Sequence, residues 1–263
     1  MSGRFKRPGL PRPGSQNQLP GGGQQGGSTL PARPQTFEEV YEKYEARAKK
    51  PSRLIGLSDA TGSMAGVWDA TRRHITEMIG RISELGEFEV SWAAYRDYGD
   101  GNGLLEFSGW QKQAQPLLDF VNSIRCYGGD DREEAVEHAL QFAADDPQAT
   151  RVILIGDAPP HPDKDYLAQA ARLAELRRPV FSFVVGQASD TARTFEEVSR
   201  LTGGKSMQLT KAEDLLDVVV LTAAEEIGGE EAVREYVRKW SPRLSDDGRR
   251  YASLLLGEGE KDA

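Results

Sequence analysis

The sequence has little of what several large classes of protein require. Only one of its 263 residues is a cysteine, Cys126, so an internal disulfide is excluded and a reducing compartment is favoured. No apolar run approaches the ~20 residues of a membrane-spanning helix, and the basic amino terminus lacks the hydrophobic run of a secretory signal. The formal net charge of −8 gives no overall attraction for nucleic acid. We therefore expect a cytoplasmic protein without membrane or nucleic-acid partners.

Composition divides the chain into four predicted parts. Residues 1–35 are rich in Gly, Pro, Gln and Ser, and their charged side chains are all basic, which predicts a disordered tail. The tail is either a solvated tether or a contact for an acidic partner or phosphate. Residues 36–51 predict a short lead-in helix, residues 52–227 an α/β domain, and residues 228–263 a helical carboxy-terminal extension. The extension either packs on the main domain or docks another protein.

Within residues 52–227, short apolar runs alternate with amphipathic segments. The apolar runs predict strands and the segments with i, i+3, i+4 spacing predict helices. The predicted strands are 53–57, 88–95, 104–110, 151–155, 180–185 and 206–209, and the predicted helices are 64–85, 116–126, 133–144, 166–174, 194–201 and 212–226. This alternation indicates a three-layer α/β fold with a doubly wound, mostly parallel central sheet between helices. In such folds ligands bind at the carboxyl ends of the strands.

Polar side chains follow the first strand and the 151–155 strand. Asp59, Thr61 and Ser63 occupy alternate positions in a loop that Gly62 allows to turn, and Asp157 follows the other strand. A carboxylate and two hydroxyls form a compact set of oxygen donors, which hard cations such as Mg²⁺ prefer. Taken alone, the D-x-T-x-S string is equally typical of a helix cap. The segment Gly128-Gly129-Asp130-Asp131 supplies a third loop with oxygen donors.

Four motifs together resemble one family. Asp59-Ala-Thr-Gly-Ser63-Met is similar to the opening motif, usually D-x-S-x-S, of the metal-ion-dependent adhesion site (MIDAS) of von Willebrand factor type A (vWA) domains. One branch of that family has the D-x-T-G-S-M variant. The same branch resembles this chain at Tyr95-Arg-Asp-Tyr98, at Gly128-Gly-Asp-Asp131 and at Ile155-Gly-Asp-Ala-Pro-Pro-His161, in this order.

The resemblance implies a set of metal ligands. Thr61 and Ser63 would contact the ion through their hydroxyls, and Asp59 and Asp157 would bind it directly or through water. The third motif of the family commonly supplies a Thr, whereas the matching residue here is Asp130, with Asp131 adjacent. The implied ion is Mg²⁺, with Ca²⁺ or Mn²⁺ as alternatives. The implied function is metal-dependent binding of another protein, such as an ATPase, kinase or phosphatase of the same pathway.

Asp130 changes the charge of the expected site. Three carboxylates carry −3 against the +2 of the ion, so an acidic side chain from a partner, which fills the open coordination position in members with a neutral Thr, would be repelled. Water or a neutral oxygen would take that position here.

An enzymatic alternative uses the same residues. Asp59, Asp130 and Asp157 around Mg²⁺ would activate water in a metal-dependent phosphohydrolase. Such sites usually carry a Lys or Arg for the phosphoryl group, and the motif loops hold only Arg96 and Arg132. The segment 56–66 has neither G-x-G-x-x-G nor G-K-[ST]. The enzyme therefore ranks below the binding module.

Two neighbouring residues are predicted to be structural or solvent-facing. We expect the segment Tyr95-Arg96-Asp97 to be a loop in which Arg96 and Asp97 pair with neighbours, rather than a source of further metal ligands. His161 lies near Asp157 in sequence and is flanked by prolines. It either supports the metal ligands or, as we expect, points its imidazole into solvent from a rigid turn.

Overall fold

A computed structural model describes residues 52–129 and 132–258. Its six strands form one sheet of order β3-β2-β1-β4-β5-β6, in which every neighbouring pair is parallel except β2 and β3. The strands are β1 (Ser52–Asp59), β2 (Phe88–Tyr95), β3 (Leu105–Phe107), β4 (Arg151–Gly156), β5 (Val180–Val185) and β6 (Ser206–Leu209). The predicted tail (1–35) and lead-in helix (36–51), as well as Asp130 and Asp131, lie outside the described residues.

Helices cover both faces of the sheet. In the described part of the chain they are α1 (Ala65–Ser83), α2 (Ala114–Ser123), α3 (Val136–Asp145), α4 (Tyr166–Glu175), α5 (Ser189–Thr202), α6 (Leu215–Trp240) and α7 (Asp246–Leu255). One apolar core lies between the sheet and α1, α2, α6 and α7, and a second lies between the sheet and α3, α4 and α5. The three-layer, doubly wound prediction is confirmed.

The central strands are apolar because both of their faces are covered. In β4, the residues from Val152 to Ile155 are all fully buried, as expected for a parallel strand between two helical layers. β1 lies between β2 and β4, with Asp59 opposite Tyr95 and Ser58 opposite Ile155. The loops that leave these three strands therefore start side by side at one edge of the sheet.

The third strand is shorter than predicted, and it is the antiparallel member of the mostly parallel sheet. The apolar pattern predicts residues 104–110, but only Leu105–Phe107 form a strand, and it runs antiparallel to β2. The connection from β2 is a short 3₁₀ segment, Tyr98–Gly103. A parallel crossover needs a dozen or more residues, so this short connection turns the chain back on itself.

The carboxy-terminal helices pack on the main domain. α6 continues through Gly228 and Gly229, where the backbone leaves helical geometry, and α7 follows it. Tyr236 of α6 and Tyr251 of α7 are buried in the same core as the sheet. Of the two alternatives for this extension, the structure supports packing. No helix within residues 52–129 and 132–258 has both the length and the apolar character that a membrane crossing requires.

Candidate metal centre

The loop after β1 is organised around the carboxylate of Asp59. Asp59 is the last residue of β1 and is fully buried. Its Oδ1 atom accepts hydrogen bonds from the backbone N–H and from the hydroxyl of Thr61, both at 2.7 Å. Such a bond to the backbone two residues ahead is a turn that Asp forms readily. The carboxylate therefore sets the position of the Thr61 hydroxyl.

The two hydroxyls of the motif lie next to each other. Thr61 Oγ1 is 3.4 Å from Ser63 Oγ, and Thr61 is buried whereas Ser63 is exposed. A short 3₁₀ turn, Gly62–Met64, leads from here directly into α1. The side-by-side hydroxyls thus form a polar surface that begins at the buried Asp59 and reaches solvent.

Neighbouring elements hold this loop in place. The indole N–H of Trp68 in α1 donates to the carbonyl oxygen of Asp59 at 2.7 Å. The N–H of Ala60 donates to the carbonyl of Tyr95, and the carbonyl of Ala60 accepts from the N–H of Tyr127. These three bonds come from α1, from β2 and from the loop after α2, so the oxygen atoms that would bind a cation are positioned before any ion binds.

Asp157 lies close to Asp59, as the sheet order requires. It follows β4 directly and is half-buried, and its carbonyl accepts a hydrogen bond from the Thr191 hydroxyl at 3.2 Å. A Cβ atom on the preceding Gly156 would lie only 2.6 Å from the Tyr95 hydroxyl and 3.5 Å from Asp59 Cβ. Only glycine fits where β4 passes this close to the end of β1.

The pKa of Asp59 also reflects its closeness to Asp157. Burial raises the pKa of Asp59 to about 7 because water no longer solvates the charged form. The hydrogen bonds from Thr61 lower this pKa, and the charge of the nearby Asp157 raises it. A buried carboxyl group whose ionisation is disfavoured by a neighbouring carboxylate is a common arrangement where a cation binds.

One oxygen of Asp59 shows that the residues present fit a cation. Asp59 Oδ2 is buried and has no hydrogen-bond partner among the described residues. Buried polar atoms nearly always have a partner, and a cation would supply one here. No group of three or more His, Cys, Asp or Glu side chains in the described ranges has by itself an arrangement that would hold a metal. A metal at this position would therefore use the two hydroxyls, and water, in addition to carboxylates.

The third predicted loop reaches the first. Gly128 and Gly129 have φ angles of 79° and 78°, a left-handed conformation that favours glycine. The carbonyl oxygen of Gly128 lies 3.6 Å from the Cβ position of Gly62, and the Cβ position of Gly129 lies 3.3 Å from Thr61 Cβ. Asp130 follows directly in the chain but is not among the described residues, so its role as a ligand stays a prediction.

Glu134, which no sequence motif singles out, lies between the segment after β4 and the Gly128-Gly129 loop. Its side chain is buried, with 3% exposed, and its Oε2 atom has no hydrogen-bond partner in the described part of the chain. Burial raises the pKa of Glu134 to about 9, and the charges of Asp59, Asp97, Asp100 and Asp157 act in the same direction. The Glu133-Glu134 pair resembles the acidic first turn of a helix, so the sequence carried no specific signal for this residue.

The loop after β2 supports the site without facing it. Arg96 is fully buried and donates to the carbonyls of Gly103 and Arg125 and to the carboxylate of Glu106. Its guanidinium also lies over the ring of Tyr127. The expectation that Arg96 and Asp97 pair with neighbours is confirmed.

The partner of Asp97 corrects the prediction for His161. His161 Nε2 lies 2.5 Å from Asp97 Oδ1, and only 17% of the histidine side chain is exposed. The predicted solvent-facing imidazole is therefore wrong. The prolines do make a turn, but that turn directs the ring towards the loop after β2 rather than outwards. His161 joins the loops that follow β2 and β4 on the two sides of Asp59.

Comparison with solved structures shows similar folds. The pilus adhesin SpaC from Lactobacillus rhamnosus GG, in its open conformation, matches 68% of this chain and 30% of its own, with a TM-score of 0.54 and 14% identity. Proximal thread matrix protein 1 from the mussel byssus matches 66% of this chain and 48% of its own, with a TM-score of 0.53 and 13% identity. The conserved hypothetical protein BatB from Bacteroides thetaiotaomicron matches 66% of this chain and 98% of its own, with a TM-score of 0.52 and 13% identity. The mussel protein has also been solved with zinc in its MIDAS motif.

These comparisons define the fold and no more. No protein-family model matches the sequence, and no curated protein matches it. This chain spans less than half of the adhesin and of the mussel protein. At such low identity the likeness concerns architecture alone. The six-stranded, mostly parallel sheet between two helical layers is an α/β fold similar to those of these solved structures.

Proposed function

We propose that this chain is a cytoplasmic protein-interaction module that binds a divalent cation at the carboxyl edge of its sheet and engages a partner protein through that ion. Thr61 and Ser63 would hold the ion through their hydroxyls, with Asp59 and Asp157 as carboxylates and Asp130 as a predicted further ligand. The observation that carries the proposal is the buried Oδ2 of Asp59, unpartnered among the described residues, beside two adjacent hydroxyls. Mg²⁺ suits this donor set, and Mn²⁺ or Ca²⁺ would bind the same oxygens.

The bound ion would present an open coordination position to an oxygen of the partner. Ser63 is exposed, so the ion would be reachable from solvent on that side. Asp59 and Asp157 lie next to each other at this position, and Asp130 is predicted to add a third carboxylate. A partner carboxylate would meet this negative field, so a neutral oxygen, from an amide, a hydroxyl or a backbone carbonyl, is the better ligand.

Two arginines weigh against the phosphohydrolase alternative. Arg96 is enclosed by Glu106 and two carbonyl groups, and Arg132 pairs with Asp190 at 2.6 Å. These are the basic residues of the motif loops, and neither is placed to stabilise a transferring phosphoryl group. We therefore favour binding over hydrolysis.

The first experiment measures the cation directly. Mg²⁺, Mn²⁺ and Ca²⁺ are titrated separately into metal-free protein while the melting temperature is followed, because a ligand that binds only the folded state raises it. We expect a saturable rise for the intact chain and a much smaller one for Ser63→Ala. Ser123→Ala is the matched control, since Ser123 is exposed and its hydroxyl bonds to Phe120 within its own helix. The absence of a rise with all three ions would overturn the proposal.

The second experiment separates binding from hydrolysis. Partner capture in Mg²⁺ should fail in chelator and with Ser63→Ala, and should persist with Ser123→Ala. The phosphohydrolase alternative instead predicts metal-dependent turnover of a generic phosphate ester by the intact chain.

A further inference from the structure

We infer that Asp97 is a positioning residue of the cation site, which acts through His161 on the loop that carries Asp157. The inference rests on the proposed function, since it assigns a further role at the same site. It follows from two structural features, which are the contact between Asp97 and His161 and the attachment of Asp97 to the loop of Thr61.

The contact between Asp97 and His161 crosses the end of β1. His161 Nε2 lies 2.5 Å from Asp97 Oδ1, and both side chains are largely buried, with 17% and 13% exposed. Asp97 follows β2 and His161 belongs to the segment after β4, and these two strands flank β1. An ionised carboxylate can only accept a hydrogen bond, so the ring nitrogen donates. The contact therefore joins the two loops on either side of Asp59.

The backbone of Asp97 is fixed by its own loop. Its N–H donates to Asp100 Oδ2 at 3.2 Å, and its carbonyl oxygen accepts from the N–H of Asp100 at 3.1 Å. The preceding residue, Arg96, is fully buried, and its carbonyl oxygen accepts from the N–H of Ala135 at 3.2 Å. Asp97 thus offers His161 an acceptor at a defined position.

Asp100 connects this loop with the first motif loop. The carboxylate of Asp100 occupies the place that a side chain on Gly128 would take, and Gly128 has a φ angle of 79°. The carbonyl oxygen of Gly128 lies 3.6 Å from the Cβ position of Gly62, the central residue of the first motif loop. The position of Asp97 is therefore tied by direct contacts to the loop that carries the two hydroxyls.

The chain between Asp157 and His161 is short and stiff. Only three residues separate the two, and two of them are prolines, each of which fixes its own φ angle. Holding the His161 ring against Asp97 therefore restricts where the Asp157 carboxylate can lie relative to Asp59. Metal ligands must keep their geometry to within about 0.5 Å, and the groups that orient them contribute to affinity. We therefore expect the loss of this contact to weaken cation binding although no ligand is removed.

Asp146 offers a matched comparison at the opposite edge of the sheet. Its side chain is likewise partly buried, and its carboxylate also accepts from a ring N–H, that of Trp110 at 3.1 Å. The same carboxylate accepts from two backbone N–H groups of the loop that follows it. Asp146 lies before β4 whereas Asp97 lies after β2, so the two occupy opposite ends of parallel strands. Asp146 therefore resembles Asp97 in burial and bonding but lies away from Asp59.

The test compares Asp97→Ala with Asp97→Asn and Asp146→Ala in the full chain. Mg²⁺ affinity is measured by calorimetric titration well below the melting temperature, so that every variant is folded. Alanine removes the acceptor for His161, whereas asparagine keeps an acceptor oxygen of the same reach without the charge. We expect Asp97→Ala to weaken Mg²⁺ binding by about tenfold or more, the range typical of residues that orient metal ligands. Asp97→Asn should recover most of the affinity, and Asp146→Ala should bind like the intact chain.

A cycle with His161→Ala tests the route of the effect. If Asp97 acts through His161, His161→Ala weakens Mg²⁺ binding in the intact chain but changes it little in the Asp97→Ala background. Losses of affinity that simply add in the double variant would overturn the inference.

The melting temperature in chelator separates positioning from a general loss of stability. Asp97→Ala and Asp146→Ala should both melt below the intact chain in chelator, but only Asp97→Ala should also bind Mg²⁺ more weakly. An Mg²⁺ affinity that is unchanged in Asp97→Ala, or equally reduced in Asp146→Ala, overturns the inference and leaves the proposed function standing. The same holds if Asp97→Asn binds as weakly as Asp97→Ala, because the charge of Asp97 would then matter rather than its bond. An intact chain that binds no Mg²⁺, Mn²⁺ or Ca²⁺ overturns both.

Discussion

Asp59 Oδ1 accepts both the backbone N–H and the hydroxyl proton of Thr61, each at 2.7 Å. The Thr61 hydroxyl donates its proton to Asp59 Oδ1, so its lone pairs point away from that oxygen and remain available to bind a cation. The other oxygen of Asp59 is buried and has no described partner. A single two-residue contact thus orders a hydroxyl and leaves a carboxylate oxygen for a cation, which explains why an Asp and a Thr occupy alternate positions at the end of this strand.

The metal-free protein should lose stability as the pH rises. The pKa values of Asp59 and Glu134 are raised to about 7 and about 9, mainly by burial. Between the ordinary carboxyl pKa and these values the unfolded chain has lost both protons while the folded chain keeps them, so each increase in pH favours unfolding. The stabilisation is complete below about pH 4 and is lost progressively up to about pH 9.

Urea unfolding in chelator across this pH range checks the prediction. Glu134→Gln should remove the part of the pH dependence that lies above neutral pH. Saturating Mg²⁺ should flatten the dependence of the intact chain, because the ion replaces the protons and binds more tightly as the pH rises. A stability that increases from pH 5 to pH 9 in chelator would show that these carboxyl groups are not held protonated.

A methyl group at Gly156, the last residue of β4, should disturb the candidate metal site next to it. The Cβ atom of Gly156→Ala would lie 2.6 Å from the Tyr95 hydroxyl, so we expect a loss of about 1–3 kcal/mol in the free energy of unfolding together with weaker Mg²⁺ binding. Gly80→Ala is the control, because Gly80 lies within a helix and has no atom within 4 Å of its Cβ position. That variant should be stabilised by about 0.5–1 kcal/mol.

A double-substitution cycle identifies the cause of the Gly156 effect. Tyr95→Phe removes the hydroxyl that the new methyl group would meet, and with it the bond to the Ile155 carbonyl. It should therefore cost less stability in the Gly156→Ala background than in the intact chain. Equal costs in the two backgrounds would mean that the close contact is not the source of the loss.

Asp217 should be the main polar attachment of the carboxy-terminal helices. It accepts from Arg81 of α1 at 3.0 Å and from the N–H of Ser245 at 2.7 Å, and it is buried. Asp217→Ala would leave Arg81 buried without this partner, so we expect a loss of about 3–5 kcal/mol by urea unfolding. The exposed pair of Glu84 and Lys239 is the comparison, and Glu84→Ala should cost less than about 1 kcal/mol. Similar losses for both variants would contradict this account of the extension.

The sequence was sufficient to predict the sheet and the positions of Asp59 and Asp157 within it. Buried parallel strands are continuous apolar runs, and the polar residue that ends such a run marks the carboxyl edge of the sheet. The runs before Asp59 and Asp157 were long and clear enough to place both carboxylates at that edge. The direction of β3 was not visible in the same pattern, because it depends on the length of the connection and not on the apolar residues.

Glu134 and His161 were missed for a different reason. Glu134 lies before α3 because its N–H and that of Ala135 bond to the loops after β4 and β2. His161 faces Asp97, which is 64 residues away in the chain. Both positions are set by contacts between segments distant in sequence, and local spacing carries no information about such contacts.

Calorimetric titration of Mg²⁺ into the intact chain and into Asp59→Asn is the most direct test of the cation site. Asparagine keeps an oxygen that can accept both bonds from Thr61 but removes the charge and the free carboxylate oxygen, so the loop should stay folded while the ion loses its buried ligand. We predict saturable binding to the intact chain and none detectable with Asp59→Asn. Binding of equal affinity to both proteins, or to neither, would contradict the account.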